Sequence, residues 1–481
     1  MKVIIIGAGV AGLTAGIYAA RAGHDVTLYE QGHRPGGLCG SWDRQGYHFE
    51  GSLHWLTGSS RRLMSLYPMW EEVGVLDGES EVRYPDPLFV LHDGDATLPL
   101  PRDPDRMVEE LSRYAPEDRR ALRRLRRDLA LYEAGFGTPE GMRGWCRKIL
   151  LTLPMVLRLL QMAGMSGEEY VGKFRSRAVR ECIGSVFSTQ YNAVTLIYIY
   201  ALFCMGASGY PQGGSTQLVA NMVRRFETLG GRLLLNHAVT QVLVEKKRVK
   251  GVVVNGETVS ADQVIVASDT RRAIDTLFAE PIETRWARKM RRTLVSDQCM
   301  VVTLGIHTRL EQYPDVLHAA LPTAAAQVPG TNPIAWVYIY DGSHYPGYAP
   351  EGCTPVTVLL FGHSIGYWQQ TRDEGCYTSW KQKVVDSVIA DLGGYIPEIK
   401  GHVEVAEMAT PLTHCRHTDS HDGGWMTLWV KNTLPPLLSL LPGNPSGIRG
   451  LQFAGHRTLL SGGLPIALQS GRAAALRIGK P

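Results

Sequence analysis

Hydrophobic residues recur along this chain with several periods, and each predicts a different kind of element. Lys2–Ile6 is a short run with four branched aliphatics; residues 13–23 (LTAGIYAARAG) read as a helix, and Asp25–Tyr29 as a second strand. Polar and apolar positions then alternate in Ser41-Trp42-Asp43 and Tyr47-His48-Phe49-Glu50, predicting a hairpin that turns at Arg44-Gln45-Gly46. From about Pro101 to Ala207 the period is helical. Beyond Tyr210-Pro211-Gln212-Gly213-Gly214 the pattern predicts a helix (215–229), a strand (232–235), strands at 239–245 and 249–254 joined by Lys246-Lys247-Arg248, a turn at Asn255-Gly256 and a last strand at 264–267. Apolar runs at 300–306, 335–340 and 356–361, with a helix at 377–392, predict an antiparallel sheet backed by helices. A strand over 450–456 and a helix opening within 461–474 end the chain.

The helical middle has two unusual segments. Pro116 and Glu117 open a helix whose Leu122, Leu125, Leu129 and Tyr132 share one face, while Arg119, Arg120, Arg123, Arg124, Arg126 and Arg127 supply the others. That face is either simply solvated or attracted to anionic lipid. Residues 145–165 (WCRKILLTLPMVLRLLQMAGM) are strongly apolar, yet their longest uncharged run, 149–157, has only 9 residues. A spanning helix needs about 20, so this segment is expected either to be core or to lie in a membrane interface with Arg143, Arg147, Lys148 and Arg158 at the head groups. Residues 193–207 carry no charge and read as an inner helix lining a substrate cavity.

Chemistry enters with the glycines. Gly7-Ala8-Gly9-Val10-Ala11-Gly12 stands between the first strand and its helix, and Glu30 follows 18 residues after Gly12. Gly7 permits the turn, Gly9 lets the backbone approach a pyrophosphate, and Gly12 lets helix and strand pack closely. The helix start offers free N–H groups and a positive dipole end to phosphate, and the Glu30 carboxylate can accept both ribose hydroxyls of an adenosine. A second pair, Gly36-Gly37, lies close enough to return to the same diphosphate, pointing to the larger dinucleotide FAD.

Glu30 followed by Gly36-Gly37 resembles the flavoproteins that include amine oxidases, phytoene desaturases, carotenoid isomerases and retinol saturases. Their usual continuation is Gly-Gly-Arg; Leu38 stands here instead, as in the carotenoid isomerase and retinol saturase branches. Phe49, Glu50, Ser52, His54 and Trp55 resemble the retinol saturase pattern Phe-Asp-x-Gly-Ile-His-Tyr, with Glu50 for Asp and Ser52 for Gly. Tyr210-Pro211-Gln212-Gly213-Gly214 and the segment from Gly450 to Ala474 are similar to the same superfamily, so the resemblance spans nearly the whole chain. It implies an α/β fold: a Rossmann-type FAD-binding domain of the glutathione-reductase kind (1–85, 205–275 and 445–481), a helical insertion (86–204) and an α+β substrate domain (276–444). It also implies that Glu30 and Gln31 meet the adenosine, the main chain at Val239 its adenine side, and Gly455 and His456 the phosphate and ribityl chain. Gly463, Leu464, Pro465 and Ile466 would point a helix start at the flavin pyrimidine, with His456 replacing a common acid. His54 is either a catalytic group beside the flavin or a structural histidine, and Trp55 a pocket wall.

Composition narrows the setting. Hydrophobic residues make up 44% and charged ones 20% of 481, a globular balance, and a formal net charge of +4 does not call for nucleic acid. Eight cysteines are scattered, the closest pair 22 residues apart, which fits free thiols in a reducing compartment and no zinc spacing. The dinucleotide motif begins at residue 2, so no signal peptide is expected and the protein is read as cytoplasmic, with peripheral contact at the membrane if residues 145–165 are interfacial. His414, His417 and His421 have helical spacing, but Asp422-Gly423-Gly424 argues for a turn, and no metal is expected there.

Three functions compete on this reading. One is an FAD oxidoreductase that desaturates, isomerises or saturates carbon–carbon bonds of a long apolar polyene such as a carotenoid or retinoid. Another is an amine oxidase, with Trp425 and Trp429 as an aromatic cage, and the third a non-catalytic prenyl-lipid escort. FAD would be held without a covalent bond, since the terminal motif lacks cysteine. With a single nucleotide-binding unit, electrons would pass to or from a quinone, oxygen or another protein rather than a nicotinamide.

Overall fold

The computed structural model describes residues 1–63, 65–77, 79–136, 156–293, 296–427, 446–458 and 462–478. Two sheets organise it. In the first, five parallel strands stand in the order Arg232–Leu234, Asp25–Tyr29, Lys2–Ile6, Gln263–Val266, Leu451–Phe453. Alternation within Lys2–Ile6 divides its side chains: Val3 and Ile5 pack with Leu13 and Ile17 of the helix Val10–Arg21, whereas Ile4 and Ile6 pack with Val242, Val252 and Val254 of an antiparallel meander. Both faces are thus covered, which is why the strand reads as a continuous apolar run. The meander is Val239–Glu245, Arg248–Val254 and Glu257–Ser260. Its third strand, four residues of mixed polarity on the meander edge, was not expected from the pattern. The helices Gly214–Thr228 and Leu464–Leu476 flank Val10–Arg21, and contact is close: a Cβ on Gly471 would stand 2.4 Å from the Ala11 carbonyl oxygen.

The second sheet has seven strands, in the order Val403–Ala409, Cys299–Ile306, Thr354–Phe361, Ile334–Ile339, Val316–Ala320, Phe89–Asp93, Ala96–Leu100. It is antiparallel except where Val316–Ala320 meets Phe89–Asp93. The helical insertion expected over 86–204 therefore opens with two strands that complete this sheet, and the helices begin at Pro104. A two-strand hairpin cannot bury its apolar residues alone, so Phe89, Leu91, Leu98 and Leu100 join the common core. Period 2 again sorts side chains: in Ile334–Ile339, Trp336 and Tyr338 face the first core, while Ala335, Val337 and Ile339 face the helices Ile365–Asp373 and Tyr377–Leu392.

In the helical region, Leu122, Leu125, Leu129 and Tyr132 of Arg119–Phe136 are buried as the period requires. Residues 145–155 and Trp429 lie outside the described residues. Of the two alternatives for residues 145–165, core or membrane interface, Arg158 in helical residues 156–163 follows the first, its side chain only 13% exposed rather than out among lipid head groups. Its Nε and Nη2 donate to both carboxylate oxygens of buried Asp128 at 2.8 and 2.7 Å, and Tyr170 adds a third bond to Asp128. A buried carboxylate needs such a partner, and that need draws the arginine inward. Among the described residues no helix is long and apolar enough to cross a membrane.

Candidate functional site

One cavity of about 2600 Å³ is lined by Glu30 and Val239, by the glycine turn and the start of Leu464–Leu476, and by Tyr132, Leu159 and Tyr198. Of the residues singled out by sequence, Gly7, Gly9, Ala11, Glu30, Gln31, Gly36, Gly37, Leu38, His54, Trp55, Val239, Gly455, His456, Gly463, Leu464, Pro465 and Ile466 all line it. Gly12 stands behind the wall, where a Cβ would lie 1.9 Å from the Gly7 carbonyl oxygen.

The dinucleotide end is shaped by backbone. Gly9 precedes the helix Val10–Arg21 in an ordinary extended conformation, and a Cβ there would meet nothing nearer than the Gly36 carbonyl oxygen at 3.9 Å. The protein itself thus leaves room for a side chain at Gly9, as a group seated against the backbone would require. Gly36 donates to the Ala8 carbonyl at 2.8 Å, so the second glycine pair is tied across the first. Glu30 accepts from Ala8 N at 2.7 Å and from Gly32 N at 2.8 Å, which fixes its carboxylate at the strand end with lone pairs left for a ribose. His237 N donates to the Glu30 carbonyl and places Val239 alongside. At the other end of the turn, Ser470 Oγ accepts from Gly455 N at 3.0 Å. Gly463 (φ +94°) starts the helix Leu464–Leu476, whose first N–H groups have no acceptor within the helix. These residues fit a dinucleotide.

The departures at Glu50 and Ser52 have local causes. Glu50 is fully buried, and its two oxygens accept from Ser215 N and Ser215 Oγ at the start of Gly214–Thr228. The longer glutamate reaches this helix terminus, where its charge is favoured. Ser52 Oγ donates to the Leu38 carbonyl and ties the segment bearing His54 to the second glycine pair.

Beyond the dinucleotide end the walls are aromatic. Trp55 stands 5.3 Å from Phe203, 6.3 Å from Phe187 and 6.0 Å from Trp336, ring centre to ring centre. His54 stacks on Tyr338 at 4.1 Å and lies 5.9 Å from Trp425; its Nδ1 is 3.4 Å from Tyr340 Oη, and its Nε2 has no partner among the described residues. Burial pushes the imidazole down to about 3, so it is neutral at physiological pH. Burial, with Arg457 beside it, does the same to His456, also to about 3. Trp425 is a residue the sequence singles out; Trp336, Tyr338 and Tyr340 behind the wall carry a subtler signal, rings at every second position of a strand. His414 and His417 lie on the helix Pro411–Thr418 rather than in the expected turn, which begins after Asp419. Among the described residues the three-ligand grouping of histidine, cysteine and acid is elsewhere, at His307, Cys353 and Glu404.

The model of the family described as flavin containing amine oxidoreductase matches residues 10–479. The chain belongs to that family. This flavin-containing oxidoreductase is 25% identical over 98% of its length to a phytoene desaturase (lycopene-forming) of Paracoccus sp., covering 96% of it. It is 24% identical to prolycopene isomerase 2 of an Oncidium hybrid cultivar (99% of this chain, 83% of that one) and 20% identical to all-trans-retinol 13,14-reductase of Danio rerio (86% and 75%). Among solved structures, putrescine oxidase bound to putrescine superposes with a TM-score of 0.64 at 16% identity, and each chain is covered over 99%. That likeness establishes the shared fold.

Proposed function

We propose that this flavoenzyme binds FAD non-covalently and acts on carbon–carbon bonds of a long apolar polyene or isoprenoid, by desaturation, cis–trans isomerisation or saturation. The observation that carries the reading is that one cavity is lined both by the Gly9 turn and by Leu159 and Tyr198. The relatives named for phytoene, prolycopene and retinol support it.

When bound, FAD supplies hydride acceptance or donation. Gly9, Gly36 and Glu30 hold its diphosphate and ribose, and the start of Leu464–Leu476 sets a positive dipole end against the flavin. Among the described residues Cys39 is the cysteine that lines the cavity, and burial pushes its thiol up to about 12, which disfavours the thiolate a covalent link would need. His54 and Trp55 orient the chain of the substrate and exclude water. His54 acts as a neutral imidazole, able to donate one hydrogen bond but not to deliver a proton as imidazolium.

The protein takes its substrate from a membrane surface. Val156, Leu157 and Leu160 are 41%, 60% and 49% exposed, and Val156 and Leu160 also line the cavity. Arg119, Arg123 and Arg127, exposed at helical spacing on the neighbouring helix, supply cationic contacts for anionic lipid. Electrons pass to or from a quinone, oxygen or another protein.

The test is anaerobic mixing with a panel of polyenes of increasing length, delivered in vesicles. Desaturation bleaches the flavin, saturation reoxidises flavin reduced beforehand, and isomerisation leaves its spectrum unchanged while the isomer ratio shifts. Bleaching by simple amines with no response to any polyene would transfer the chain to the amine oxidase reading.

A further inference from the structure

The last turn of the helix Pro411–Thr418 lies across the dinucleotide crevice and reaches both of its walls. On one side Asp419 Oδ1 is 2.8 Å from Arg272 Nε. Arg272 belongs to the helix Thr270–Thr276, capped by Asp269. The preceding Ala267-Ser268 backs the glycine turn, since a Cβ on Gly7 would stand 3.2 Å from both. On the other side His417 faces the loop between Glu30 and Gly36. Burial lowers its basicity, and the charges on Arg416 and then His33 lower it further. Arg416 Nη2 donates to His417 Nε2 at 3.3 Å, and the cavity is lined by Arg416, His417 and His33 alike.

The carboxylates nearby are already engaged. Asp419 is paired with Arg272, while Asp269 and Asp422 accept from Arg457 at 2.8 and 3.0 Å. Among the described residues no carboxylate ion pair is formed by Arg416, which is exposed and lines the crevice. A cation lining the same crevice as a helix N-terminus can hold an anion between them.

We infer that Arg416, oriented by His417, closes over the diphosphate of the bound dinucleotide from the side opposite the helix Val10–Arg21. This rests on the FAD reading above and extends it: a helix following the second sheet completes a cofactor site otherwise built on the first. Leu38, which lines the same cavity, carries no charge of its own. Basic residues in a last helical turn also favour the helix dipole, and that role alone would show in stability rather than in selectivity for phosphate.

The experiment compares the wild type with Arg416→Lys, Arg416→Gln and Arg416→Glu. FAD release from the holoenzyme on dilution is read by recovery of flavin fluorescence, and displacement of FAD is measured with ADP and with adenosine. The expected order of FAD retention is wild type, Lys, Gln, Glu, with the dissociation constant raised about tenfold or more by Gln. ADP should weaken in step with FAD, and adenosine, which has no phosphate, should not. A flat series overturns the inference, as do equal losses for ADP and adenosine, or a lower melting temperature with an unchanged ADP-to-adenosine ratio. Should Gln and Glu fail to fold, His417→Ala, which removes the acceptor for Arg416 Nη2 and keeps the arginine's charge, gives the same reading: weaker FAD and ADP binding supports the inference, and unchanged binding overturns it. A wild type that takes up no FAD strikes the FAD reading itself; tight FAD with a flat series strikes only Arg416.

Discussion

Gly9 and Gly12 are three residues apart and require glycine for different reasons. A Cβ on Gly12 would be 1.9 Å from the Gly7 carbonyl oxygen, so the helix could not approach the strand. A Cβ on Gly9 would be 3.9 Å from its nearest protein neighbour, so glycine there is required only if, as proposed, a diphosphate occupies that space. Gly12→Ala should therefore lower the melting temperature of flavin-free protein, through a backbone shift costing about 1–3 kcal/mol or more. Gly9→Ala should leave that temperature within a degree or so of wild type and abolish flavin retention. Melting curves with and without added FAD check both; a Gly9→Ala protein that stays yellow would remove the diphosphate from this turn.

At the scale of the element, Arg119–Phe136 and helical residues 156–163 form a unit with two faces. The inner face is conventional core, closed by the pairing of Arg158 with Asp128. The outer face leaves Val156, Leu157 and Leu160 in solvent beside the far end of the cavity. Transfer of each into a lipid interface contributes roughly 1 kcal/mol or more. Replacing all three by serine should lower affinity for anionic vesicles roughly a hundredfold, while the melting temperature changes little because these side chains are already wet. Co-sedimentation measures it, and vesicle binding equal to wild type would assign the patch to another partner.

For the molecule as a whole, the parallel sheet contains a single strand–GxGxxG–helix unit among the described residues, at Lys2–Arg21, and the FAD reading occupies it. A nicotinamide dinucleotide could reach the flavin only through the aromatic end of the cavity, where burying its unpaired phosphates would be costly. Stopped-flow mixing with NADPH or NADH should accordingly give no fast, saturable bleaching at micromolar nucleotide. Rapid saturation would mean that the cavity admits the nucleotide and that no external electron partner is needed.

Sequence alone determined the parallel dinucleotide unit, because its signals are local: an apolar run, glycines at set spacings, an acid at the next strand end. Apolar runs at 300–306, 335–340 and 356–361 likewise announced the strands Cys299–Ile306, Ile334–Ile339 and Thr354–Phe361, which are buried on both faces because each face meets a different core. Tertiary structure decided what depends on partners far along the chain. Phe89–Asp93 and Ala96–Leu100 read as the edge of a helical region until they pair beside Val316–Ala320. Arg158 reads as a surface cation until Asp128, 30 residues earlier, requires a buried counter-charge. Glu50 and Ser52 read as departures from a pattern until Ser215 and the Leu38 carbonyl supply their bonds. Spacing can announce what a residue does for its own turn or strand; a charge or hydroxyl whose free energy depends on burial acquires its role only when folding brings its partner within about 3 Å.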